Sequence, residues 1–427
     1  MNFKKIIVCA SVLFFVAIMT WAGESPVITF EKDVSPIFRK KCQECHEPGG
    51  MAPMSLVNYE EVRPWARSIQ EKAVSREMPP FYAGGPIGYY ENDNRLTDRE
   101  IDIISKWVES GSPKGISTGE SKETMASASE RPVKPADLVL QPPVPYQLKN
   151  DGVDHFELFA FDQHIFAQDT WIRGIGVRPG NRSLVHHVVV YLLPANFKAG
   201  VDGRVDGVDA VIMGAQPVIF WTPGSLRRMF KDGAALLLPK GSRLGMQIHY
   251  APTTDRQATD QTSIDIFYAN GVVDKTIRVL YGSKFKIDIP PGESHYQLID
   301  YKKFQTDALI STFSAHMHLR GKSFIIRLIY PDGRKETVFE IPQFYFNWQR
   351  GYTLAKPLVV PKGTVAEYTA VWDNSARNRF NPNPNQSVRF GLSTRDEMMS
   401  GSIVYVIPEE KLGLEVKHGV AGGAGQQ

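Results

Sequence analysis

Near residue 137 the apolar pattern changes period, and that change restricts the fold more than anything else in the chain. From there to about residue 412, short alternating or apolar runs recur at 171–177, 185–193, 244–250, 264–268, 324–330, 365–372 and 403–407, separated by clusters of Gly, Pro, Asn and Asp. Runs of this length bounded by turn formers are strands whose side chains alternate between core and solvent. A stretch of about 270 residues is too long for one small sandwich. Two all-β sandwiches are therefore expected, at 137–283 and 284–412, with a Gly-rich tail at 413–427 expected to be disordered.

Ahead of this lies a different kind of sequence. Residues 24–115 read as a small α-helical domain. Thr97 with Glu100 makes a capping box, Ile101, Ile104, Trp107 and Val108 form a helical stripe, and Gly111 and Pro113 end it. Residues 116–136 carry no apolar period and are expected to be a flexible linker. Residues 1–22 have the form of a signal peptide: Lys4 and Lys5, then an apolar run from Ile6 broken only by Ser11 and Thr20, with small residues near Ala22. This predicts a periplasmic or otherwise exported protein, with membrane association only if the leader is retained. The formal net charge of +3 includes those two lysines, so the mature chain carries 3 − 2 = +1. That balance argues against nucleic-acid binding.

Export permits disulfides, yet Cys9 lies in the leader and the other two cysteines share one motif. Cys42-Gln43-Glu44-Cys45-His46 is the C-x-x-C-H signature of covalent haem c attachment: two thiols for the vinyl groups and an imidazole for the iron. A redox dithiol or half a zinc site would not explain His46, and no second cysteine pair exists to complete a zinc site. Met51, Met54 and Met78 are candidates for the sixth iron ligand. Met78 is favoured because Pro79 and Pro80 hold its segment extended, whereas Met51 and Met54 stand too close to His46. Such a ligand raises the haem potential and suits an electron carrier. The region resembles bacterial class I-like cytochrome c domains over residues 27–115, including the segments Gly49 to Leu56 and Val62 to Ala66.

Five of the ten histidines fall in three groups within predicted strands: His186-His187, His249 in Gln247-Ile248-His249-Tyr250, and His316-Met317-His318. Residues two apart on a strand share a face, so His316 and His318 can reach one metal. His186 and His187 point to opposite faces of a regular strand and can share an ion only if the backbone departs from regularity there. Any one of these histidines could be a satisfied core residue; the grouping is what points to metal. Imidazoles suit copper, zinc, iron or nickel, and a thioether would favour copper. Met398, in Asp396-Glu397-Met398, is the candidate.

Residues 137–408 resemble the copper type II, ascorbate-dependent monooxygenases, the family of peptidylglycine alpha-hydroxylating monooxygenase and dopamine beta-hydroxylase. The His-His pair, Gln-x-His-Tyr, His-x-His followed by Gly321-Lys322, and Asp-Glu-Met carry the resemblance, with Tyr345 to Gln349 and Trp372 to Ala376 similar to the dopamine-hydroxylase branch. It implies two jelly-roll-like domains and two copper ions facing each other across an open, wet cleft. His186, His187 and His249 would hold the electron-transfer copper, and His316, His318 and Met398 the O2-activating one. The implied activity is hydroxylation of a C–H bond of a small organic substrate with O2, electrons arriving from a periplasmic donor through the fused haem. The alternative is a periplasmic haem or copper electron-transfer or copper-binding protein without hydroxylase activity. The family's structural disulfides have no cysteines here. The Arg that grips a substrate carboxylate in the peptide-hydroxylating enzyme is replaced by Ser314, and its Tyr and Asn by Ser402 and Ser400. A peptidylglycine substrate is therefore not expected.

Overall fold

The computed structural model describes residues 27–116 and 135–421, apart from 49, 51, 162–164, 195–196, 198–199, 206–213, 224 and 226. The expected leader, nearly all of the expected linker and residues 422–427 lie outside the described residues. Among those described, no helix is long and apolar enough to cross a membrane.

The first sandwich stacks two sheets. One runs Leu138–Leu140, Ser263–Tyr268, Thr170–Arg178, Ala234–Leu238, Lys275–Thr276; the other runs Arg204–Val205, His155–Ala160, Arg243–Tyr250, Val185–Leu193, Gln216–Trp221. Alternation decides what lies between them: Val188, Val190, Met246 and Ile248 point inward and are fully buried, joining Ile172, Ile175, Ile264 and Ile266 from the facing sheet. The second sandwich pairs Arg278–Lys284, Met399–Val406, Ala308–His316, Tyr352–Val360 in one sheet with Tyr296–Lys303, Val365–Trp372, Gly321–Ile329, Lys335–Ile341 in the other. Its core takes Phe313, Ala315, Met317, Met399 and Ile403 from the first of these sheets and Phe324, Ile326, Tyr368 and Trp372 from the second.

Two expected boundaries move. Arg278–Lys284 pairs along its whole length with Met399–Val406, so the division between sandwiches falls before Arg278 and not at 283. No turn former separates 276 from 278, and the sequence alone placed this strand with its predecessor. The tail expected to be disordered from 413 instead returns to the first sandwich. Leu414–Lys417 pairs with Gly271–Val273 and turns into Val420–Ala421. Val416 packs there against Trp171, Ala235 and Val273. Its glycines serve the turn: Gly419 adopts φ +80°, a conformation that costs glycine nothing.

The N-terminal region is helical where the capping pattern predicts it. Asp98–Glu109 is a helix with the Thr97–Glu100 capping box formed in both directions. Trp107, wholly buried, packs on Phe30, which also meets Phe38 and Tyr59 edge-on. Between the helices the chain leaves this small core. Beyond Pro80, Ala83 and Tyr90 enter the core of the second sandwich. Tyr82 stacks on Tyr345 at 5.4 Å, and Glu91 N–H donates to Thr353 O at 2.8 Å. A bridge between Tyr90 and Leu354 covers the free edge of Tyr352–Val360, satisfying backbone groups that an edge strand leaves unpaired. The helical region is thus bolted to the β region by main-chain bonds, independently of the linker.

Candidate metal centres

The outer faces of two sheets, one from each sandwich, meet each other, and the five grouped histidines lie there. On Val185–Leu193 and Arg243–Tyr250 the residues opposite the core set include His187 and His249, which are register partners. His186 joins them through an irregularity: His249 pairs with His187 but Tyr250 pairs with Val185, leaving His186 as the extra residue of a β-bulge. A bulge re-aims side chains, and here it brings two consecutive imidazoles to one point. The three Nδ1 atoms are 3.1, 3.3 and 3.4 Å apart. A point equidistant from nitrogens at those separations lies about 1.9 Å from each (side divided by √3), close to the roughly 2.0–2.1 Å of a metal–imidazole bond. Among the described residues this is the group of three or more His, Cys, Asp or Glu whose ligand atoms gather for a metal.

Electrostatics keep His186 and His187 in their ligating form. Burial lowers the His186 pKa to about 4, with His249 adding to the effect and Asp154 opposing it. His187 is held well below its ordinary value, by burial first and then by the neighbouring histidines. Neutral imidazoles leave lone pairs for an ion. Asp154 Oδ1 lies 3.5 Å from His249 Nε2, a long contact, and the His249 ring holds that carboxyl below its usual range. A carboxylate behind a ligating His fixes its tautomer and orientation. Phe156, the other register partner of His249, stacks on its ring at 4.3 Å and 6°.

The second group is assembled differently. His316 and His318 lie on one face, with Met317 between them buried in the core; their ring centroids are 5.1 Å apart. Ala308–His316 pairs with Met399–Val406 so that His316 faces Ser400. The pairing ends there, two residues short of His318 on one strand and of Met398 on the other. His318 Nδ1 bonds Asp396 O at 3.2 Å, which leaves its Nε2 for a ligand. His316 Nδ1 is buried, with the Gln349 side chain beside it. Burial lowers the His316 pKa to about 4 and holds His318 well below its ordinary value.

Glu397 organises the backbone of this group. Wholly buried, it accepts from His318 N–H at 3.0 Å, Arg320 N–H at 2.7 Å and Trp372 Nε1–H at 2.8 Å. Burial pushes its carboxyl up to about 7, an effect these donors oppose.

The expected open cleft is not what the chain builds. His187 and His316 have ring centroids 6.3 Å apart, and Phe346 stands 5.5 Å from His249, 6.1 Å from His187 and 6.3 Å from His318. All of these residues but His186 are at most 7% exposed. Phe346 closes the space from the loop after Lys335–Ile341, a turn that Gln349 Nε2–H to Phe346 O closes at 2.8 Å. Asp154, Phe156, Phe346, Gln349 and Glu397 were not picked out as functional from sequence; Glu397 and the 345–349 segment carried a signal in their resemblance, whereas Asp154 and Phe156 carried none.

At the N-terminal motif, Cys45 N–H and His46 N–H both return to Cys42 O, winding the motif into a single turn. Both cysteines are free thiols; burial pushes Cys42 up to about 12 and Cys45 to about 11, the latter opposed by Arg350 and Arg182. His46 Nδ1 bonds Met54 O at 3.0 Å, leaving Nε2 free, the arrangement of an axial imidazole. The donor set fits a haem c on this side. Met78 follows the Ala66–Val74 helix, where its N–H donates to Lys72 O at 3.2 Å and its side chain is 46% exposed. Glu47, which follows His46 and is 3% exposed, forms an ion pair with Arg182, four residues before His186.

No family model matches the chain. It is 29% identical over 210 residues to the mouse (Mus musculus) protein "DBH-like monooxygenase protein 2", covering 43% of this chain and 33% of the relative. The chain thus spans about a third of the length of the curated relative it matches. Among solved structures, the glycosylasparaginase PNGase F of Flavobacterium meningosepticum is 11% identical with a TM-score of 0.29, covering 63% of this chain and 95% of that one. The major capsid protein of bacteriophage PM2 is 10% identical with a TM-score of 0.24, covering 65% and 99%. The sequence similarity supports a relationship to DBH-like monooxygenases, on a multidomain, mostly β framework.

Proposed function

We propose that this protein is an exported copper monooxygenase that uses O2 to hydroxylate a C–H bond of a small organic substrate. Electrons would enter from a periplasmic donor through a haem c on Cys42 and Cys45, ligated by His46 with Met78 as its second axial residue. The observation that carries this reading is the His186–His187–His249 triangle standing one aromatic ring away from His316 and His318. The similarity to a protein named as a DBH-like monooxygenase supports it.

Copper held by His186, His187 and His249 supplies one-electron redox chemistry, and copper held by His316, His318 and Met398, with its soft thioether, supplies O2 activation. The chain's own residues do the rest. Asp154 and Phe156 fix the His249 ring; Asp396 O and Glu397 fix His318; Phe346 and the meeting sheets exclude water. The Glu47–Arg182 pair fastens the haem motif beside the loop that leads into the first triangle, giving electrons a packed route between modules.

The test is metal analysis of the purified chain followed by turnover under isotopically labelled O2. Two coppers per chain and one labelled oxygen in the product are expected. Zinc in place of copper, or a product without label, overturns the monooxygenase. Two coppers with no product leaves an electron-transfer or copper-binding protein. Intact mass should show one covalent haem after expression with haem c maturation, lost in Cys42→Ser/Cys45→Ser; no mass gain removes the haem.

A further inference from the structure

Resting on the monooxygenase reading, we infer that the cavity between the two sandwiches is its substrate chamber and that Arg228 selects an apolar monocarboxylate. The cavity has a volume of about 620 Å³ and is lined from the first sandwich by Val218, Phe230 and Leu237 and from the second by Val404. Ligand chambers usually enclose roughly 300–1,000 Å³ and are mostly apolar with a few placed polar groups. Two arginines line it: Arg278, whose charge Glu410 neutralises at 2.6 Å, and Arg228. Among the described residues the Arg228 side chain has one hydrogen bond, Nη2–H to Thr312 Oγ1 at 2.9 Å, and its guanidinium stands 5.6 Å from the Phe230 ring. Among the described residues no carboxylate pairs with it.

The adjacent residue shows what this chain does with an arginine meant for structure. Arg227 meets Asp265 at 2.9 Å, and Arg178 takes the other oxygen of the same carboxylate at 2.6 Å. Arg228 has no such partner, and burial lowers its pKa to about 10. A partly buried cation without a counter-charge is costly, and an anion that binds it recovers part of that cost. One guanidinium neutralises one negative charge, and its planar fork matches a carboxylate. The apolar walls then take a hydrocarbon body.

Strand register ties the chamber to the oxygen site. Thr312 pairs with Val404, Ser314 with Ser402 and His316 with Ser400, so Thr312, Ser314 and His316 share one face with Val404, Ser402 and Ser400. Tyr281 lines the cavity, and its hydroxyl bonds Ser400, the residue opposite His316. Thr312 and His316 are four positions apart, about 13 Å along a strand. The cavity is lined on this face by Val404 and Tyr281, and the same strands run on to Ser400 and His316. The reaction is R–H + O2 + 2 e− + 2 H+ → R–OH + H2O, the electrons arriving singly from a one-electron donor; one C–H bond breaks and one C–O bond forms.

Binding is measured first on the metal-free full chain, by calorimetry and thermal shift, with octanoate and 3-phenylpropionate as probes and octanamide as the neutral control. Octanoate should bind at least tenfold more tightly than octanamide, and Arg228→Gln should remove that preference while leaving octanamide binding unchanged. Arg228→Lys, which keeps the charge and loses the fork, should fall between, and serves if the glutamine variant does not fold. Equal binding of acid and amide, unchanged octanoate binding in folded Arg228→Gln, or no binding to the wild type overturns the chamber. Failure of the copper-loaded protein to oxygenate any compound overturns the monooxygenase and leaves the binding result standing. Oxygenation of octanamide but not of octanoate overturns the assignment of a carboxylate substrate.

Discussion

The two histidine groups differ in how much of a metal site the chain completes by itself. The first is preformed: three Nδ1 atoms within 3.4 Å of one another, from a bulge and its register partner. The second offers two imidazoles two residues apart, His316 at a strand's last position and His318 just beyond it, where Glu397 accepts from the His318 N–H. A site built on irregular backbone stores its geometry in one strand pair, so it is vulnerable at its ligands. A site built on regular period-two spacing depends on the supporting residues that align two strands.

The sharpest way to break the comparison is His186→Ala against His316→Ala. Removing His186 takes away the bulged ligand, and copper affinity at the first group should fall by more than the roughly 10–100-fold that loss of a supporting partner costs, with the second copper retained. His316→Ala should give the reverse. Chelator competition with EPR of each copper checks both; loss of both coppers in either variant would mean the groups are one site. Phe346→Ala attacks what the groups share. The side chain is 6% exposed and touches histidines of both, so about 3–5 kcal/mol of stability should be lost in urea unfolding, and both EPR signals should change. A change at only one would show that the ring belongs to that group alone.

The sandwich pattern was legible in the sequence because alternation is a local signal. Val185–Leu193 and Val365–Trp372 begin and end where the apolar runs do. His316 and His318 were legible for the same reason. That His186 and His187 share a site depends on a slip between two strands 62 residues apart, which one strand's sequence cannot display. The closed centre was invisible for a related reason: Phe346 comes from a loop, and its position follows from tertiary contacts and not from any period. Likewise the segment from 81 to 95 lacks a strand pattern, because its strand-like part is one bridge on the edge of Tyr352–Val360.

Glu397→Gln tests the claim that the second group depends on alignment. The carboxylate gathers three N–H donors, and an amide would turn one of its two acceptors into a donor aimed at donors. Loss of such a buried bond costs about 1–3 kcal/mol. Copper affinity at His316 and His318 should drop by about 10–100-fold, while the first group keeps its copper. Equal losses at both groups would show that Glu397 supports the whole interface and not one centre.

Asp154→Ala is the matching test on the first group, and the smallest effect. Asp154 is half-buried and reaches His249 only at 3.5 Å, so its support is weaker than that of Glu397, and the Phe156 ring stacked on His249 at 4.3 Å keeps the imidazole plane fixed without it. What is lost is the bias toward the tautomer with its proton on Nε2 and its lone pair on Nδ1. Copper affinity at the first group should fall by about tenfold, the lower end for a supporting carboxylate, with urea stability unchanged. A drop as large as that of Glu397→Gln at its own group would show that the preformed triangle needs its surroundings as much as the strand-built site does, and the distinction between the two would fail.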